Sequence, residues 1–424
     1  MGENSAMCEK VLRTLENIIQ RDSEIREFAI VQTTENLKNK SPILYEENCL
    51  GLESWCKPYL QSYSHSVLLK NRKKLSRKQM TLDDMKNLNH VLVGGLLVQP
   101  TVVTFWNMKR DLVENDILNI EQELYFNEIL LSMYPKSYEA FSYRKWLLSC
   151  KLKKVENLNF FQNESKVCER TAVKSPNNYH SWNYRIWCME ILLRSHPEIA
   201  NIVLLELKFS IDWITNHISE YTGYNYRQFL IRNMKNIESI SYTIFESLSF
   251  NNAIKYLNLP FYSDDPYHIV RALFGKSVSH TENDAYPKYI NLLSVLLNDL
   301  FYISVELNYL YSNHECLWSY RKFLIIKLIE LIYDYHEMKL DFKLYIEHKC
   351  MGRHVSCNML SLEINELIAM KPELPNKITS SSFYNLLLKK EIEFLEASKH
   401  TSNASDINLS KRHLKWLKLA NIYN

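Results

Sequence analysis

Lys136, Tyr138, Tyr179 and His180 are the residues whose types and spacing point most directly to chemistry. Each pair follows a proline, in Pro135-Lys136-Ser137-Tyr138 and in Pro176-Asn177-Asn178-Tyr179-His180. Proline suits the first position of a helix, where its missing amide would otherwise be an orphaned donor. On that reading Ser175 caps a helix that Pro176 opens, and Lys136 lies in the first turn of another. A cation there opposes the helix macrodipole at a cost of about 0.3–1 kcal/mol, and an anion bound at the same end reverses the sign. Free amides at a helix start also take phosphate oxygens. The expected chemistry is therefore diphosphate binding at an edge that Lys136 and Tyr138 share with Tyr179 and His180. The competing expectation is a solvated lysine beside ordinary aromatics.

No other familiar chemistry is written in the sequence. There is no P-loop, GxGxxG, HExxH or GxSxG, and no His/Cys cluster with metal-ligand spacing, so no metal site is expected in this chain. The 51 bases and 48 acids leave a formal charge of +3, which gives no global reason to expect nucleic acid as a partner. One local exception is the basic run Lys70, Arg72, Lys73, Lys74, Arg77 and Lys78, read as a solvated helix end. Nine cysteines without a CxxC pair suit a reducing compartment. Charged residues among the first twenty argue against a signal peptide. The longest apolar run, Val91 to Val98, is too short to cross a bilayer. Cytoplasmic localisation without stable membrane insertion is the expectation.

The elements that must position those residues come from an internal repeat. Aligned on a central aromatic, five copies read Trp106-Asn107-Met108-Lys109, Phe141-Ser142-Tyr143-Arg144, Trp182-Asn183-Tyr184-Arg185, Tyr224-Asn225-Tyr226-Arg227 and Trp318-Ser319-Tyr320-Arg321. The central aromatics are 35, 41, 42 and 94 residues apart, and the shorter spacings suit a two-helix unit. Only 7 Gly and 11 Pro in 424 residues also favour long helices over many short strands. Trp106, Phe141, Trp182, Tyr224 and Trp318 are expected to pack between units. Arg144, Arg185, Arg227 and Arg321 lie one turn beyond, so they should bond carbonyls or acids of a neighbouring helix, because an unpaired buried charge is prohibitive.

The expected architecture is an all-α helical-hairpin repeat solenoid. Residues 1–85 form a helical lead-in, 86–333 carry the repeats with an insertion at about 236–286, and 334–424 form a helical cap. Within the lead-in a helical pattern covers residues 7 to 30, and a further helix covers Tyr59 to Leu69.

The motif Pro-x-x-Tyr followed by Trp-x-x-Arg-x-Trp resembles the repeat of protein prenyltransferase alpha subunits. Two further stretches, Leu50-Gly51-Leu52-Glu53-Ser54-Trp55-Cys56 and Gly223-Tyr224-Asn225-Tyr226-Arg227-Gln228-Phe229-Leu230, are similar to one branch of that family. The resemblance spans residues 45 to about 330. It implies an all-helical crescent, a right-handed alpha-alpha superhelix, that wraps a separate beta subunit, which carries the zinc and the isoprenoid pocket. For this branch it implies a Rab geranylgeranyltransferase-type beta subunit in a heterodimer. The implied reaction transfers geranylgeranyl from its diphosphate to a protein cysteine, on substrates such as SNARE or Rab-pathway proteins. The family's diphosphate lysine falls on Lys136 and its tyrosine on Tyr138, which the resemblance makes the catalytic candidates, and the following Tyr-His falls on Tyr179 and His180, which with Lys136 would bind the diphosphate.

Three departures stand out: Met108 and Lys109 replace the aromatic and Arg of the first copy, Phe141 replaces Trp, and a long gap separates the last two copies. Asn177 stands where the preceding copy has its lysine. A non-catalytic helical-repeat scaffold or adaptor in membrane trafficking is the alternative expectation.

Overall fold

The computed structural model describes residues 2–33, 39–77, 79–154, 160–195, 199–234, 286–335, 381–399 and 404–420, with residues 237, 257, 258, 273 and 422. The chain forms two compact units, Met1–His196 and Pro197–Asn424. The class is all-α, built from repeated helical hairpins. The expected insertion at 236–286 lies almost wholly outside the described residues, as does much of the expected cap.

In the first unit, α1 (Gly2–Arg21) is followed by β1 (Glu27–Val31), β2 (Ile43–Glu46) and β3 (Cys49–Glu53). This corrects the expected helix over residues 7 to 30, which ends at Arg21. Ile25 and Phe28 are buried as that helical pattern requires, but Phe28 lies in a sheet of order β1-β3-β2 and Ile25 in the segment that leads into it. β1 pairs parallel with β3, and β2 pairs antiparallel with it. Glu47 and Asn48, both at positive φ, close the β2–β3 hairpin. Such a two-residue turn follows the right-handed twist of its strands. The open side of β1 meets α5 (Ile120–Met133), where the Tyr125 hydroxyl accepts from the Ile25 amide at 2.8 Å and Ser132 Oγ from the Phe28 amide at 2.9 Å.

Helix α2 (Lys57–Ser76) extends beyond the expected Tyr59–Leu69 and packs with α1 and α3 (Leu82–Val98). Three hairpins then complete the unit: α3 with α4 (Val103–Glu114), α5 with α6 (Tyr138–Lys154), and α7 (Phe161–Lys174) with α8 (Tyr179–Ser195). Thr81 and Asn119 cap α3 and α5 by accepting from the amides of Asp84 and Glu121.

The second unit contains α9 (Ile199–Asn216) with α10 (Tyr221–Asn233), α11 (Tyr286–Phe301) with α12 (Glu315–Tyr335), and α13 (Ser382–Lys399) with α14 (Ala404–Leu419). A π-helical stretch, Tyr302–Glu306, follows α11 directly. Gly223 in α10 lies against Trp213 of α9, where an added Cβ would come within 2.7 Å of the indole.

Candidate functional site

The repeat places one carboxylate in the first helix of a hairpin and draws two groups onto it. In the first unit Glu123 of α5 accepts from Lys109 of α4 at 2.7 Å and from the Tyr143 hydroxyl of α6 at 2.8 Å. Glu164 of α7 accepts from Arg144 Nε and Nη2 at 2.6 and 2.9 Å, and from the Tyr184 hydroxyl of α8 at 2.7 Å. Arg144 and Arg185 also donate to the carbonyls of Leu124 and Ser165. The base thus links one hairpin to the next while the tyrosine closes its own hairpin.

The same arrangement recurs in the second unit. Asp299 of α11 takes Arg227 of α10 at 2.7 Å and Tyr320 of α12 at 2.5 Å. Glu391 of α13 takes Arg321 of α12 at 2.7 Å and His413 of α14 at 2.6 Å. Glu206 accepts from the Tyr226 hydroxyl. The bases, tyrosines and acids are all buried. Burial opposes ionisation of Arg144 and Arg227, and their carboxylate partners outweigh it, so both stay charged.

The central aromatics complete the stacking. Trp106 lies 5.0 Å from the Tyr143 ring, Phe141 5.7 Å from Tyr184, Tyr224 5.5 Å from Tyr320, and Trp318 5.5 Å from His413. Trp182 is buried in α8. Trp106 Nε1 and the Tyr224 hydroxyl each donate to the carbonyl six residues earlier. His413 and Trp416 lie three residues apart with their rings 5.2 Å apart, like Tyr143 and Trp146. Helices α13 and α14 are therefore a further hairpin of the same design, with His413 in place of Tyr. The motif predicts acidic partners on a neighbouring helix without identifying them by residue. Their signal was present: Glu123, Glu164 and Glu206 each precede the motif tyrosine by 20 residues.

Stacking aligns the turns that open the second helices. The Tyr134 hydroxyl donates to the Leu97 carbonyl at 3.0 Å, and Asn178 Nδ2 donates to the Pro135 carbonyl at 2.5 Å. These bonds put the Pro135 turn between its two neighbours. The caps differ from expectation. Ser137 Oγ accepts from the Ala140 amide and Asn178 Oδ1 from the Ser181 amide, both at 3.2 Å, so helices open at Tyr138 and Tyr179. Ser175 instead ends α7 with extended backbone, φ −147° and ψ 102°. A residue before proline is pushed out of helical conformation, so each proline ends the preceding helix and occupies the turn. Asn177 adopts φ 52°, a left-handed conformation that Asn tolerates.

Lys136 is consequently just outside α6 rather than in its first turn. It is exposed, and no hydrogen-bond or ion-pair partner for it occurs among the described residues. Tyr138 and Tyr179 are 63% and 62% exposed. The structure brings the Tyr138 and His180 rings to 5.8 Å, and Tyr179 and His180 to 5.9 Å. One exposed cation, two phenols and an imidazole share this edge, a set that can donate to an anion. The nearby Lys174 is already engaged, with Glu27 at 2.7 Å. Among the described residues, no three His, Cys, Asp or Glu side chains gather as metal ligands. No described helix is long and apolar enough to cross a membrane.

Stacked hairpins joined by an aromatic, a base and a shared carboxylate define a helical-repeat protein. The model of the protein prenyltransferase alpha subunit repeat matches residues 120–151 and 161–192, the α5–α6 and α7–α8 hairpins. The chain is 28% identical over 338 residues to protein prenyltransferase alpha subunit repeat-containing protein 1 of Homo sapiens, covering 76% of this chain and 77% of that protein. It is 30% identical over 251 residues to protein 1-B of the same description from Xenopus laevis, covering 55% and 56%. It is also 30% identical over 142 residues to the geranylgeranyl transferase type-2 subunit alpha of Saccharomyces cerevisiae, covering 32% and 42%. The chain thus carries the protein prenyltransferase alpha subunit repeat in two hairpins of its first unit and is similar to repeat-containing protein 1 over most of its length.

Proposed function

We propose that this chain is the alpha-type subunit of a heterodimeric protein prenyltransferase and assists geranylgeranyl transfer to protein cysteine. The observation that carries the proposal is Lys136, an exposed cation without a partner among the described residues, at an edge where Tyr138 and His180 meet. The partner is a beta subunit of the Rab geranylgeranyltransferase type, to which we assign the zinc and the isoprenoid pocket. The name of the yeast relative supports the transferase class and the lipid.

In the proposed reaction a cysteine sulfur bonds to C1 of the geranylgeranyl group as the C1–O bond to diphosphate breaks. The thiol proton is lost to solvent, and the diphosphate leaves with the bonding electrons. Lys136 and the phenols of Tyr138 and Tyr179, with His180, donate to its oxygens as charge develops. Donors fixed before the reaction cost no reorganisation during it, which is why one such donor is worth about 10²–10³ in rate.

Proteins with a C-terminal cysteine, such as SNARE or Rab-pathway components, are the proposed substrates. Co-purification of the tagged chain from cells, followed by mass spectrometry, tests the partner. A stoichiometric prenyltransferase beta subunit is expected, and its absence would leave a scaffold or adaptor role instead.

A further inference from the structure

The α2–α3 end of the first unit carries a charge distribution that neither hairpin stacking nor diphosphate binding uses. Between Glu53 and Asp83 the chain has no acidic residue and seven bases: Lys57, Lys70, Arg72, Lys73, Lys74, Arg77 and Lys78. The whole chain has a formal charge of only +3, so the remainder is net negative. Lys70, Arg72, Lys73, Lys74 and Arg77 are exposed at the C-terminal end of α2. The nearest acids in sequence, Asp83 and Asp84, stand in the first turn of α3, where the Thr81 hydroxyl donates to Asp84 at 2.7 Å. Glu9 of α1 lines the same pocket as Lys74 and is engaged by Arg13, Tyr63 and His90.

Bases in the last turn favour the helix dipole, which accounts for Lys73 and Lys74 but not for Lys70 and Arg72. It does not account for two leucines at the same end either. Leu69 of α2 is 51% exposed and Leu82 of α3 is 61% exposed. Leucines set among cations are poorly placed in water and well placed at the boundary between headgroups and acyl chains. Five of the seven bases are lysines, whose apolar stems can lie along that boundary with the ammonium reaching outward. Nucleic acid would call for aromatic interleaving and for the bidentate fork of arginine, and no aromatic lies between Lys70 and Lys78.

From the convergence of exposed cations and exposed leucines at one hairpin end, we infer that this end docks on an anionic membrane surface. The docking face is separate from the Lys136 edge. The Pro100 and Pro135 turns lie at the C-terminal end of α3, joined through Tyr134 and Leu97, whereas α2 ends at the N-terminal end of α3. The 17 residues of α3 put the two ends about 25 Å apart.

Sedimentation with phosphatidylcholine vesicles, with or without phosphatidylserine at roughly one lipid in four, tests the inference on the full chain. Each basic residue near such a surface contributes about fivefold in partitioning. Replacing Lys70, Arg72, Lys73, Lys74 and Arg77 with Gln should therefore weaken binding to anionic vesicles by about a hundredfold or more, while far-UV circular dichroism is unchanged. A second variant, Leu69→Ser with Leu82→Ser, keeps every charge and should weaken vesicle binding several-fold without changing retention on a polyglutamate matrix. Equal binding to neutral and anionic vesicles, or an unaffected Gln variant, would overturn the inference. So would loss of polyglutamate or RNA binding in the Gln variant with no vesicle binding by the native chain, since the face would then serve an acidic polypeptide or nucleic acid.

Discussion

Lys109, Arg144, Arg227 and Arg321 are each stabilised by one carboxylate that a tyrosine or histidine also uses, so a single side chain carries several bonds. Arg144 donates twice to Glu164 and once to the Leu124 carbonyl. Arg144→Met would leave Glu164 buried with only the Tyr184 hydroxyl bonded to it and no countercharge. Removing one member of a buried pair costs about 3–5 kcal/mol. Urea denaturation should show a loss of that size, and addition of Glu164→Leu should recover much of it. A single-substitution loss below about 1 kcal/mol would mean the pair is solvated.

Glu391 gives the ladder a pH dependence. Burial alone would raise its pKa, but Arg321 and His413 overcome that and hold it down to about 2, against an ordinary 4.5. The folded value lies below the unfolded one, so the stabilisation is complete above about 4.5 and is lost as pH falls toward 2. Burial also lowers the His413 pKa below its ordinary 6.5, despite the opposing pull of Glu391. That contribution too is present above 6.5 and lost on acidification. Thermal melts from pH 7 to pH 3 should fall for the native chain and fall less for a Glu391→Gln, His413→Gln pair, already weakened at neutral pH. A parallel fall in both would point to other groups.

At the scale of the element, the turn between the two helices of a hairpin carries the site. Asn178 caps α8 and its amide bridges to the Pro135 and Thr171 carbonyls. Asn178→Ala should cost about 1–2 kcal/mol from the cap alone, read as a lower melting temperature. It should also loosen the Tyr138–His180 contact, which the aromatic proton shifts of His180 would report. Unchanged shifts would show that stacking of the hairpins suffices to hold the edge.

The hairpins themselves were legible because aromatic, tyrosine and base recur at helical spacing on the second helix. The partner acids were not, since they stand on the other helix, some 20 residues away, and change type at Asp299. The last hairpin was hidden for a related reason: His413 replaces the tyrosine there. Ser175 and Asn178 are equally good caps by residue type, and backbone restriction ahead of Pro176 decides between them. The sheet escaped because its strands are four or five residues long, and Ile25 and Phe28 suit a helical face as well as a strand. Lys136, Tyr138, Tyr179 and His180 could be picked out by type alone, whereas their approach across the edge depends on Asn178 and on the stacking beneath.

At the scale of the whole molecule, the described residues combine two compact units whose buried ladders leave the turn edges available for function. The repeat matched in two hairpins of the first unit accompanies similarity to relatives of which some are named as transferase subunits and others only as repeat-containing proteins. The proposed assignment to catalysis thus turns on whether the exposed edge is used. The decisive measurement is single-turnover geranylgeranyl transfer by the chain reconstituted with a Rab geranylgeranyltransferase-type beta subunit, comparing native protein with Lys136→Ala. Lys136 is exposed and bonded to nothing among the described residues, so the variant should assemble normally. A rate about 10²–10³ lower with intact assembly is the expected result. An unchanged rate in an intact heterodimer would contradict the account and leave this edge without a part in the chemistry.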